Sequence, residues 1–163
     1  MSARKALRDR LDQARRENYV DLRVTTPAFA GLFVRCRAIG PAELDAAFGR
    51  HSGKDNAGVE MAIDLIASTC VGIWEEVDGK GVSPVDGFTG EIDLATMALV
   101  GELPTFSSPE LVEALGLSDP SAQASVKALL AVTSDLRLMT YSDALQEFST
   151  GANASVVRAA RGN

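Results

Sequence analysis

Two stretches near the start of the chain alternate with a period of two, and no other feature limits the fold as strongly. In YVDLRVT (residues 19–25), Val20, Leu22 and Val24 fall on one face and Asp21, Arg23 and Thr25 on the other. In LFVRCRAI (residues 32–39), Leu32, Val34, Cys36 and Ala38 share a face, and Arg35 and Arg37 point the other way. Side chains alternate across a strand, so each stretch predicts a strand with one buried side. The link TPAFAG carries Pro27 and Gly31, which suit a loop. The pair predicts an antiparallel β element with one solvated, arginine-bearing face.

The remaining patterns are helical. Residues 2–17 place Ala3, Leu7, Leu11 and Ala14 on one narrow stripe, with Lys5–Asp9, Arg8–Asp12 and Asp12–Arg16 as flanking i,i+4 pairs. Pro41–Phe48 opens with proline at its first position and Glu43 in its first turn. GRHSGKDNAG follows as a loop containing His51, the single histidine. Residues 57–74 predict the most apolar helix, with Trp74 as a core residue at its end. TFSSPELVEALGL has Ser107 or Ser108 as a cap, a capping-box Glu110 and Gly116 as the stop. LSDPSAQASVKALLAV repeats that grammar, with Ser118 or Asp119 as the cap and Pro120 at the start. A last helix covers 135–149, with Leu138, Tyr141, Leu145 and Phe148 on one side. Residues 91–103 fit a short helix or a strand equally well. The expected fold is α+β and mainly α-helical: a small antiparallel β element near the N-terminus, then a bundle of helices. The expected organisation is a basic helical arm over 1–18, one globular domain over 19–150 and a flexible tail over 151–163.

The segment WEEVDGKGVSPVDGFTGEI (residues 74–92) gathers acids and glycines as a calcium loop does. From Asp78, however, the third ligand position is Lys80, the fifth Val82 and the twelfth Thr89. An ammonium group at a ligand position repels the ion, so no EF-hand forms. Asp78-Gly79 instead predicts a hairpin turn, and the acids read as solvated. No phosphate loop, dinucleotide fingerprint, HExxH or CxxC is present. Cys36 and Cys70 read as small core residues rather than a disulfide. We expect no catalytic residue, no metal, no cofactor and no enzymatic activity.

Charge is unevenly spread. Residues 1–37 hold nine Lys/Arg against four Asp/Glu, and residues 38–163 hold seven against eighteen, within a net charge of −6. A basic arm on an acidic body predicts docking to another protein or to a second copy. The candidate partner-binding residues are Arg4, Leu7, Arg8, Leu11 and Arg15 in the arm, with Arg35 and Arg37 on the strand face. Acids interrupt the arm's bases and no aromatic residue lies among them, which disfavours nucleic acid. The longest apolar segment, residues 61–74, is too short to span a bilayer. The N-terminus lacks the apolar core of a secretory signal.

In order along the chain, DLRV, GLFVRCRAI, ASTCVGIWEE, DGKGVSP, TFSSPELVEALGL and DLRLMTYSDALQEFS together resemble the tail assembly chaperones of long-tailed bacteriophages, particularly those of actinobacteria. The resemblance covers residues 20–149. It implies a protein of the host cytoplasm that coats the tape measure protein, recruits tail tube subunits and is absent from the finished virion. It also implies a longer frameshifted product. Arg161-Gly162-Asn163 can be encoded as CGG GGA AAC, which contains a slippery run. The alternatives are a tail or connector subunit retained in the virion, and a small adaptor or regulatory domain outside phage biology.

Overall fold

The computed structural model describes residues 6–11, 18–132 and 134–150. Both strands expected from alternation form. β1 (Tyr19–Arg23) pairs antiparallel with β2 (Leu32–Arg37), and a 3-10 turn at Pro27–Phe29 lies in the link. Two helices follow, α1 (Pro41–His51) and α2 (Ala57–Thr69).

The expected small β element leading into a helical bundle is overturned at Cys70. The chain leaves α2 there and becomes β3 (Cys70–Val77), antiparallel to β2. β4 (Lys80–Val82), β5 (Glu91–Asp93) and β6 (Ala98–Val100) extend a six-stranded antiparallel sheet in the order β1-β2-β3-β4-β5-β6. A continuous apolar run fits a buried strand as well as a buried helix, and residues 57–74 contain both. Val71, Ile73 and Trp74 are β-branched or aromatic, types that suit a strand covered on both faces. Ile73 is fully buried on one side and Trp74 is 2% exposed on the other.

The turns explain why the sheet keeps folding back. Asp78 and Gly79 both take positive φ, 51° and 79°, as a two-residue hairpin requires. Between β5 and β6, Asp93 accepts a hydrogen bond from the Ala95 amide (2.9 Å), and Met97 takes a φ of 58°.

α3 (Pro109–Ala114), α4 (Ala122–Leu130) and α5 (Arg137–Ser149) complete the chain. α3 has Ser108 at its N-cap, and Gly116 (φ 66°) follows its end. α4 is capped by Ser121, whose hydroxyl accepts from the Ala124 amide at 3.2 Å, beyond the expected Ser118 or Asp119. Asp119 instead holds the Ser121 amide.

α2 is central, touching α1, α4, α5 and β2. With Leu22, Val34 and Cys36 of the sheet, Ile63 and Ile66 of α2, and Leu129, Leu138 and Leu145 of the later helices, it builds one core on one face of the sheet. Two α5 bonds lock that layer down. The Tyr141 hydroxyl takes the Thr25 amide (2.9 Å), and the Ser149 hydroxyl takes the Ile39 amide (2.8 Å). A smaller core of Trp74, Ile92 and Leu103 sits on the opposite face. Among the described residues no helix is long and apolar enough to cross a membrane. The expected tail over 151–163, and all of the arm except residues 6–11 and 18, lie outside the described residues.

Candidate protein-binding groove

At one end of the sheet Leu32, Glu75 and Val82 stand side by side on β2, β3 and β4, and the helical layer leaves a cleft open there. Its volume is about 270 Å³, and its walls are Phe29, Leu32, Ile73, Val85, Leu111, Leu115 and Leu129, with Glu75 also lining it. Pro84, Val85 and Ala114 also line a shallower depression of about 540 Å³, which adds Asp86, Gly87, Glu110 and Glu113. The two form one groove with an apolar floor and four carboxylates on its walls and rim. Among the described residues the lining includes no lysine or arginine. Among the described residues none of the four carboxylates makes an ion pair.

Local chemistry fixes each wall. The Phe29 amide bonds back to the Thr26 carbonyl (2.9 Å), and Glu76 ties the link to β3 through the Gly31 carbonyl (3.1 Å). Ser83 holds both the amide and the carbonyl of Val85, turning that residue into the groove. In α3 the sequence Pro-Glu-Leu-Val-Glu-Ala buries Leu111 and exposes Glu110, Glu113 and Ala114. The Leu117 amide bonds to the Val112 carbonyl (3.1 Å) across Gly116, a Schellman-type stop. In helix-in-groove recognition an amphipathic helix lays its apolar face into a hydrophobic groove.

The candidate residues read from sequence fall elsewhere. Leu7 and Leu11 are 64% and 50% exposed on the helical stretch of residues 6–11. Arg8 is exposed beside them, and Arg4 and Arg15 lie outside the described residues. The expected solvated arginine face is corrected at Arg35, which is 3% exposed. Its guanidinium makes a two-pronged pair with Asp21 (Nε–Oδ1 3.0 Å, NH2–Oδ2 3.1 Å), and the Trp74 indole donates to the same Oδ1 at 2.9 Å. Phe33 stacks on Trp74 at 4.2 Å between centroids, with Arg23 over Phe33 at 5.8 Å. Arg37 is held by Glu43 (2.8 Å) and by the Ala38 and Ser68 carbonyls.

His51 ends α1 rather than lying in the loop expected from 49–58, and its Nε2 bonds to Asp64 Oδ2. Burial works to raise the Asp64 carboxyl; hydrogen bonds from His51, Arg50 and Gln123 outweigh it and hold the group below its ordinary range. Among the described residues no hydroxyl or thiol bonds to His51. Cys36 and Cys70 are opposite one another on β2 and β3 as free thiols. Among the described residues no group of three or more His, Cys, Asp or Glu side chains is placed to hold a metal ion. Comparison with family models, curated proteins and solved structures returned no match.

Sequence reasoning missed the groove because its walls come from the β1–β2 link, β2, β3, the β4–β5 loop, α3 and α4. One signal was available. Glu110 and Glu113 flank Leu111 in a helix too short to be covered on every side.

Proposed function

We propose that this chain is a non-enzymatic tail assembly chaperone whose groove holds apolar helical segments of the tape measure protein while tail tube subunits are recruited. The observation that carries the reading is the groove itself, a cleft among the described residues with half-buried Phe29, Val85 and Leu115 on its walls and Glu75, Asp86, Glu110 and Glu113 around it. An amphipathic client helix with leucine-sized side chains flanked by bases matches both features. The net charge of −6 supports solubility in the loaded state. The ordered sequence resemblance over 20–149 points to the same role.

The test is co-expression with the tape measure protein of the same phage. The reading predicts soluble, co-purifying client and no chaperone in purified virions by mass spectrometry. Insoluble client in the presence of this chain overturns the chaperone role. Abundant chain in the virion would favour the retained tail or connector subunit instead.

A further inference from the structure

The same groove has a second candidate occupant within the sequence. Residues 6–11 are helical, and Leu7 and Leu11, one turn apart, are both exposed. At 100° per residue Arg8 and Arg10 flank that pair on either side, and Asp9 lies on the far side. The arm therefore presents two leucines between two guanidinium groups, the complement of an apolar floor edged by carboxylates. A cavity of 150 Å³ is enough to hold benzene, so about 270 Å³ has room for two isobutyl groups.

The root of the arm and the groove lie at opposite ends of β1. The arm joins the sheet at Tyr19, which pairs with Arg37 at one end of β1. The groove opens beyond the other end, where Arg23 pairs with Phe33 and the link leads to Phe29. We propose that the groove of one copy receives the basic arm of a second copy, through Leu7 and Leu11 on its floor and Arg8 and Arg10 against Glu110, Glu113 and Asp86. Such a contact joins unlike surfaces, so it propagates head to tail. It rests on the reading of the groove as a docking site. It adds that chains of this protein hold their own grooves covered until a client helix displaces the arms.

Sedimentation velocity of the full chain tests this. Wild type should form concentration-dependent oligomers in low salt that dissociate in high salt. Leu7→Asp/Leu11→Asp should weaken association by about a hundredfold or more, since two leucines lose their burial. Ala114→Trp, which fills the groove from an exposed position, should do the same. Circular dichroism checks that both variants keep the wild-type fold. Mixed together, the arm variant and the groove variant should form a one-to-one complex and nothing larger. A monomeric wild type, unchanged self-association in either variant, or a mixture that stays monomeric would overturn the proposal. The chaperone reading fails separately. The arm variant should still capture client, so wild type that oligomerises through its arm but captures none would sink the chaperone role alone.

Discussion

Removing the Asp21 carboxylate should be among the most damaging single changes on the sheet. Its oxygens receive Arg35 Nε and NH2 at 3.0 and 3.1 Å and the Trp74 indole at 2.9 Å. The Arg35 side chain is 4% exposed and the Asp21 side chain 18%. Breaking a buried ion pair by deleting one partner costs about 3–5 kcal/mol, because the remaining charge stays desolvated. Water reaches Asp21 in part, which favours the lower end, and the orphaned indole N–H adds about 1 kcal/mol. Asp21→Ala should therefore lose about 4 kcal/mol. At about 2–4 °C per kcal/mol for a chain this size, Tm falls by about 8–16 °C. Trp74 is the only tryptophan, so urea unfolding followed by its fluorescence reads the transition at the network. Asp21→Leu/Arg35→Met should recover most of the loss, since an apolar pair needs no counter-charge. A loss below about 0.5 kcal/mol in Asp21→Ala, or a double variant as unstable as the single, would refute the reasoning.

Other consequences follow from packing and titration. A Cβ at Gly81 would stand 2.7 Å from Trp74 Cε3 and 3.0 Å from Ile92 Cβ, so Gly81→Ala should cost about 1–3 kcal/mol in urea unfolding. Gly49→Ala, with open space around it in α1, should be neutral or stabilising, and equal effects would undo the argument. The hydrogen bond from Arg37 holds the Glu43 carboxyl below its ordinary value, against the opposing effect of burial. Its contribution is thus complete above about pH 4.3, the unfolded value, and is lost as pH falls through the lower folded value. Glu43→Gln should lower the urea midpoint at neutral pH and converge with wild type in acid; a deficit independent of pH would contradict the assignment. Burial pushes the Cys36 thiol up to about 11 and raises Cys70 as well. A thiol reagent at mildly alkaline pH should therefore react slowly with folded protein and promptly with both thiols in urea. Immediate reaction of the folded chain would show that these sulfurs are accessible.

How far the sequence disclosed this fold depended on the length and sidedness of each element. β1 and β2 were legible because Val20, Leu22 and Val24, and Leu32, Val34 and Cys36, recur at every second residue toward the main core. The Asp78-Gly79 turn was legible because few residue pairs accept two positive φ values. β3 was hidden, since it continues the apolar run of α2 and is covered on both faces, so neither period dominates. β5 and β6, at three residues each, are too short to show any period. Alternation placed Arg35 opposite the main core but could not say what covers that face. The answer lay in register, which sets Asp21 beside Arg35, and in Trp74, 53 residues from Asp21 in sequence. The groove stayed invisible because its acids read singly as solvated loop and helix residues. Their convergence around Leu111 and Val85 is a tertiary fact.

The central claim, that the acid-rimmed groove is where a client helix docks, is tested most directly by co-expressing the tape measure protein with wild type and with Ala114→Trp. Quantifying client in the soluble, affinity-purified fraction gives the readout. Wild type should give abundant client and the filled groove about tenfold less or lower, at equal yield and thermal stability of the two proteins. Equal client recovery with both proteins would contradict it.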